Sequence, residues 1–506
     1  MTSLIERHAD QIKGVLSCFD RVVVTGTIPG ICYASGMTSH LSLNNIRIFD
    51  YPKWAEPFRH EIRANAERLA EQSGLDIEFI RKTGAFRKEA RVRKIVEERG
   101  EEPGLVHIFS AMESCPTFKP WHNKKTGKTY LVSQTGKCLH YYFYFILRDF
   151  GLCYLRVPTW APFRLQFYCN GHNRLAAALR KKGLGFKMLD NAFVDIDDFH
   201  KAQQLTSSFE PKALHRVLDS LAKKCCPAIR HFQTRCHWSL MQVEYATDIV
   251  FRSREALSSL YEELVRTAIH SVKPENIATF LGRKLHGNYC GEMGNDFHTR
   301  VEGTRIKHHM GQVAIKMYDK HGLALRIETT ANDLSFFKHR REVQRRDGSS
   351  QMKVAPLKKS IYSLPLAAKL MGDANRRYID FISAIDDPTS AIRDLEKISR
   401  PTRDSGRSWR GFNLFHGDDL DLFHIILRGE FNISGFKNKD IRLRLPGRTP
   451  NQISRLLKRL RKHGLIKKIG NVYKYYPTKF GRRVAATALK LREMFIIPSL
   501  RGILEK

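Results

Sequence analysis

The stretch TPNQISRLLKRLRKHGLIKKIGNVYKYYPTK, residues 449–479, decides how this chain is read. Thr449 followed by Pro450 marks a helix start: the hydroxyl accepts from free N–H groups of the first turn, and proline sits where its missing donor costs nothing. Ile453, Leu456, Leu457 and Leu460 recur at i, i+3, i+4 and i+7 as one apolar stripe, and Gly464 is placed to end the helix in a left-handed cap. The opposite face carries Asn451, Gln452, Arg455, Lys458, Arg459 and Lys462. A strand over 465–469, a turn at Gly470-Asn471, a second strand over 472–476 and a helix from Thr478 follow. Between Ile441 and Val484 there are fourteen Lys and Arg and no Asp or Glu, so the outward faces are cationic.

On these residues, 418–490 resembles a winged-helix domain of the MarR-type regulators. The resemblance implies a helix in the major groove of DNA and a hairpin that touches the backbone or minor groove. The expected DNA contacts are Arg448, Asn451, Gln452, Arg455, Lys458, Arg459, Lys462 and Lys474. Arg, Asn and Gln can read base edges, whereas Lys mainly neutralises phosphate. A solvated basic helix is the plain alternative, and the lack of compensating carboxylates weighs against it.

Outward from this stretch, the whole chain of 506 residues carries 86 Lys and Arg against 51 Asp and Glu, a formal charge of +35. Basic clusters recur at 81–94, 119–137, 338–346 and Lys358-Lys359, so the tail alone does not account for the excess. A polyanionic partner is implied, DNA first and RNA second. No apolar run has spanning length and residues 1–13 are polar, which predicts a cytoplasmic, nucleoid-associated protein without membrane contact. A homodimer is a further expectation for its assembly.

The ten cysteines include no Cys-x-x-Cys pair and read as small buried residues, with Cys138/His140 and Cys236/His237 lacking nearby partners for a metal. Thr126-Gly127-Lys128-Thr129 imitates the end of a P-loop, but His122 stands where the first glycine belongs, so a hairpin turn is the better reading.

Short β-branched runs at 21–25, 76–80 and 105–109 alternate with helical periods at 56–71 and 87–98. Strands are expected at 130–132, 139–147, 152–157 and 164–169, and helical periods at 173–182, 195–222 and 253–270. The expected class is α/β (α+β) and multidomain, a mixed-sheet body with a C-terminal winged helix. Its divisions are a basic α/β nucleic-acid-binding domain at 1–240, an α+β domain at 241–398, an irregular linker at 399–416 and the winged helix at 417–506. The aromatic run Tyr141–Phe145 fits either a strand buried on both faces or a platform for unpaired bases, and the buried strand fits better.

The chemistry-bearing segment is GTRIKHHMGQVAIKMYDKHGLALRIETTAND, residues 303–333, with a candidate hairpin over 312–330. A three-residue loop at Lys320–Gly322 keeps one face dry and gathers Lys316, Tyr318, Arg326, Glu328 and Thr330 on the other. Glu328 with His308 or His309 could hold a hard divalent ion, Mg or Mn, while Lys316 and Arg326 steady a phosphate and a tyrosine attacks it. A surface network in which Glu328 balances Lys316 and Arg326 is the competing reading.

Ile315-Lys316-Met317-Tyr318-Asp319-Lys320 with Leu325-Arg326-Ile327-Glu328 resembles the strand pair of rolling-circle replication initiators, and Phe19-Asp20-Arg21-Val22 resembles their opening strand. The resemblance covers some forty residues. It implies nicking of one DNA strand through a tyrosine, with a metal held by two histidines around one hydrophobe. His308 and His309 are adjacent instead, so a metal site here is built differently. The candidate nucleophiles are Tyr318, Tyr362 and Tyr378, the last favoured by its neighbours Asn375, Arg376 and Arg377. The expected function is a replication-initiator or transposase-like protein of mobile DNA. Alternatives are a non-catalytic transcription regulator or architectural protein, and an RNA-binding protein.

Overall fold

The structure, a computed structural model, describes residues 4–81, 86–232, 235–285, 289–300, 303–344, 347–383, 396–404, 406–413, 415–470 and 473–497. The fold is mixed α/β and divides into two compact units. One comprises Met1–Leu16, Ala246–Thr330 and Lys369–Lys506; the other comprises Ser17–Tyr245 and Ala331–Ala368. The division passes within two continuous strands, β1 (Ile12–Thr27) and β9 (His237–Phe251).

In the unit built on 17–245, further strands are β2 (Ile77–Ile80), β3 (Gly104–Asn123), β4 (Lys128–Leu147), β5 (Gly151–Pro158) and β6 (Leu165–Cys169). The order is β9-β1-β6-β5-β4-β3-β2. β2 and β3 run parallel, which requires a crossover, and the helix Lys88–Arg99 supplies it. β3 and β4 form an antiparallel hairpin of twenty residues a side. Asn123 Oδ1 accepts from the backbone N–H groups of Lys125 and Thr126 at its turn, and Gly127 has φ +65°. The P-loop imitation is therefore a hairpin turn. The two strands expected at 130–132 and 139–147 are one, because the polar run 133–137 continues β4 without a break. Tyr141 to Phe145 are all buried, so this stretch is core on both faces.

The other unit orders its strands β10-β11-β12-β13-β9, with β10 (Met293–Arg300), β11 (Gly303–Met310), β12 (Val313–Lys320) and β13 (Ala324–Ala331). The turn between β12 and β13 is closed by Leu323 N–H donating to Lys320 O at 3.1 Å, with His321 at φ +60° and Gly322 at φ +72°. The connection is thus His321–Leu323, one residue beyond the expected Lys320–Gly322, because two successive left-handed residues make the reversal after Lys320.

The same unit contains the basic C-terminal region. Helices Gly417–Ile426, Gly429–Ser434, Asn438–Arg442 and Pro450–Lys462 precede the hairpin of β18 (Ile466–Ile469) and β19 (Lys474–Pro477) and the helix Lys479–Lys490. Ile453, Leu457 and Leu460 pack into a core with Phe423, Ile441 and Val484. Burial of this stripe holds the helix; its ends are set by the Thr449 and Gln452 capping box and by Gly464 at φ +74°. Asn471, expected at the hairpin tip, and Val472 lie outside the described residues.

Two contacts tie this region down. The stretch read as a linker carries a ribbon of β16 (Thr402–Asp404) and β17 (Arg407–Trp409), and Phe412 enters the same core. Its Arg, Ser, Asp and Gly composition concealed that anchoring. Gly429 meets the helix Pro274–Phe280 so closely that an added Cβ would lie 2.1 Å from Glu275 O and 1.6 Å from Thr279 Oγ1. Among the described residues, no helix is long and apolar enough to cross a membrane.

Candidate functional site

β13, Ala-Leu-Arg-Ile-Glu-Thr-Thr-Ala, is buried at every position. A buried strand with Arg326, Glu328, Thr329 and Thr330 is stable only if each polar group is matched. Arg326 donates from Nε to Asp248 Oδ1 at 2.6 Å and from Nη2 to Oδ2 at 2.7 Å. Glu328 Oε1 accepts from Lys316 Nζ at 2.6 Å and Thr330 Oγ1 at 3.1 Å, and Oε2 accepts from Tyr318 OH at 2.6 Å. Thr329 Oγ1 donates to Asn375 Oδ1 at 2.6 Å, and Asn375 in turn donates to Thr247 Oγ1 at 3.2 Å. The expected gathering of Lys316, Tyr318, Glu328 and Thr330 is present, but in the interior. It is no surface network.

The histidines separate across the sheet. His308 pairs with Ile315, so it lies on the face opposite Lys316 and hence opposite Glu328. There its Nδ1 meets Asn295 Oδ1 at 2.6 Å and its Nε2 meets Tyr378 OH at 3.1 Å. Burial, aided by the neighbouring His309, lowers its pKa to about 4, so the ring is neutral at pH 7. His308 and Glu328 do not share a metal ion. His309 returns to the face of Lys316, with Nδ1 3.8 Å from Asp296 Oδ2.

The three tyrosines also part. Tyr378 is fully buried, its pKa raised by desolvation, and it packs edge-on against Phe280 at 5.3 Å between centroids. Its neighbour Asn375 faces the sheet, where it accepts from Thr329 Oγ1. Tyr362 belongs to the other unit; it is exposed, with its OH 2.8 Å from His215 Nδ1. Tyr318 alone joins Glu328.

Sequence reading did not single out two buried carboxylates. Asp20 on β1 accepts from Asn191 Nδ2 at 2.7 Å and lies 3.1 Å from His172 Nδ1. Glu244 on β9 lies 3.5 Å from Arg21 Nε and accepts from Gln242 Nε2 at 3.3 Å. Asp20 and Glu244 are both buried and bring carboxylate oxygens within 4.8 Å of each other. Hard anionic oxygens suit Mg²⁺ or Mn²⁺ rather than a soft metal. The available signal was a carboxylate inside an apolar run, Asp20 in CFDRVVV and Glu244, together with Asp248, in QVEYATDIV.

The basic helix Pro450–Lys462 divides into exposed and internal cations. Asn451, Gln452, Arg455 and Lys458 are exposed, Lys458 over the Trp409 ring at 5.8 Å; the Gln452 side-chain oxygen also accepts from Thr449 N–H at 2.7 Å. Arg459 instead turns inward. It donates to Asp419 Oδ1 at 2.7 Å and Oδ2 at 2.9 Å and to Gly411 O at 2.6 Å, and stacks over Phe412 at 3.8 Å. Its guanidinium is engaged inside the protein. Arg448 pairs with Asp418 at 2.7 Å and Lys462 with Asp404. Lys474 lies beside the Tyr476 ring at 5.8 Å. The acid-free count of 441–484 missed these partners because they lie upstream of it.

No family model and no curated protein matches this chain. Among solved structures, a rolling circle replication initiator protein from Geobacillus stearothermophilus is matched over 63% of this chain and 74% of that chain, at 10% identity and a TM-score of 0.19.

Proposed function

We propose that this chain is a DNA-processing protein of mobile DNA, of the replication-initiator or transposase kind, which nicks and rejoins a strand through Tyr318 with a divalent metal. The observation that carries this reading is the buried carboxylate of Glu328, bonded to the Tyr318 hydroxyl at 2.6 Å and to Lys316 Nζ at 2.6 Å, in a chain of net charge +35. A carboxylate is expensive to bury, and a divalent cation beside it offsets that cost. A metal ion held there would polarise the scissile phosphodiester and favour the ionised phenol.

The side chains divide the remaining work. Glu328 holds the Tyr318 hydroxyl at 2.6 Å and takes its proton as the oxygen attacks phosphorus. A phosphotyrosyl bond forms, the P–O bond to the neighbouring nucleotide breaks, and that oxygen leaves as a strand-end hydroxyl once protonated. The reverse attack rejoins the strand. Lys316 keeps its ammonium on Glu328 and so sets the orientation of the carboxylate. Target duplex would be gripped in winged-helix fashion by Asn451, Gln452, Arg455 and Lys458.

The test is incubation of the full chain with labelled single-stranded and duplex DNA and Mg²⁺ or Mn²⁺, followed by a denaturing gel. Cleavage with a covalent adduct that Tyr318→Phe removes is the expected result. Absence of cleavage across metals and substrates would leave the second reading, a non-catalytic DNA-binding regulator. One observation favours that alternative: Glu328 already accepts three hydrogen bonds within the chain.

A further inference from the structure

The unit that carries the C-terminal helices contains a cavity of about 460 Å³, a size ordinary for small-molecule sites. One wall is the end of the helix Leu364–Ile382 with Phe280; the other is the start of the helix Lys479–Lys490. Six basic side chains line it, Arg7, Arg376, Arg377, Lys479, Arg482 and Arg483, against two acidic ones, Glu6 and Asp380. The excess is four positive charges.

These cations are not all equivalent. Arg377 is committed to the protein, donating from Nε to Phe280 O at 2.9 Å and from Nη2 to the same oxygen at 2.6 Å. Arg376 pairs with Asp373 on its own helix. Burial lowers the pKa of Arg482 against the pull of Asp380, and burial raises that of Asp380 against Arg376, Lys479, Arg482 and Arg7. Arg376, Lys479 and Arg482 are exposed to solvent, and cations gathered around one cavity repel one another, a cost that a multivalent anion relieves. Phosphate is the anion whose geometry suits guanidinium forks.

A bare phosphate would leave most of the volume unfilled. Phe381 also lines the cavity, set edge-on to Phe280 at 5.3 Å, and gives it an aromatic wall beside the cationic one. An aromatic surface next to a phosphate cradle matches a base joined to its phosphates.

We infer that this cavity binds a nucleoside phosphate, with its phosphates on Arg376, Lys479, Arg482 and Arg483 and its base against Phe381. A free nucleotide and the phosphorylated terminal nucleotide of a strand share that chemistry. The site is independent of strand cleavage, and its test needs no activity.

Calorimetric titration of the full chain with ATP, ADP, pyrophosphate and a 5′-phosphorylated dinucleotide tests it. Saturable one-to-one binding of a nucleotide, at least ten-fold tighter than pyrophosphate, is expected. The ATP and dinucleotide arms tell free nucleotide from strand end. Arg482→Ala with Arg483→Ala should weaken binding at least ten-fold, while Asp380→Asn should tighten it. A gain of affinity cannot come from misfolding, so Asp380→Asn keeps the test valid if the arginine variant is unstable. Pyrophosphate binding as tightly as ATP, no saturable binding, unchanged affinity in both variants, or loss of nucleotide binding on Arg455→Ala would each overturn the proposal.

Discussion

Arg326 and Asp248 face each other through two parallel hydrogen bonds, Nε to Oδ1 at 2.6 Å and Nη2 to Oδ2 at 2.7 Å, with neither side chain reaching solvent. Sequence reading gave Arg326 a phosphate-steadying role on the hairpin's polar face. The pairing makes it an internal brace between β13 and β9. Arg326→Ala should cost about 3–5 kcal/mol in urea unfolding, since it strands a buried carboxylate. Replacing both partners with apolar residues of similar volume should cost much less. Equal losses in single and double variants would refute the brace.

Glu328→Gln keeps the shape of the side chain and removes its charge. Wild type should gain thermal stability from Mn²⁺, because an ion that binds only the folded state shifts the unfolding equilibrium. The variant should lose most of that gain and also start from a lower melting temperature, as the Lys316 ammonium loses its counter-charge. An unchanged Mn²⁺ shift would dismiss Glu328 as a ligand.

His308 makes stability depend on pH. Its folded pKa of about 4 lies below the ordinary value of 6.5, so the unfolded chain binds its proton first. The contribution is fully present above pH 6.5 and is lost as pH falls from there through about 4. Its size is about 3 kcal/mol, at roughly 1.4 kcal/mol per pH unit. Buried His140, also lowered to about 4 chiefly by desolvation, titrates over the same window. His308→Gln should therefore reduce the acid slope in denaturant melts without removing it; an unaltered slope would show that His308 is not buried neutral.

Arg455 and Arg459 lie one helical turn apart and should behave in opposite ways. Arg455→Ala should weaken duplex binding and lower the salt slope by about one counterion, with the melting temperature unchanged. Arg459→Ala should instead cost about 3–5 kcal/mol of stability, because it strands the buried Asp419. Fluorescence anisotropy across salt, paired with thermal melts, separates them. A stable Arg459→Ala protein with weakened DNA binding would reverse the assignment.

Much of the C-terminal helix was legible because its stripe and caps are local: Ile453, Leu457 and Leu460 lie within two turns, and Thr449 and Gln452 cap across one. The face shared by Lys316, Tyr318 and Glu328 was legible from strand alternation even though the loop shifted by one residue. His308 and His309 defeated the same reasoning, since adjacent strand residues point to opposite faces and sequence does not say which neighbour either meets. The internal partner of Arg459 was not legible because Asp419 lies forty residues upstream. Asp20 and Glu244 were not singled out because carboxylates brought together by sheet order leave no spacing to read.

A side chain at Gly429 would collide with Glu275 O and Thr279 Oγ1. The single missing Cβ at 429 is thus what sets how near the C-terminal helices lie to the helix Pro274–Phe280.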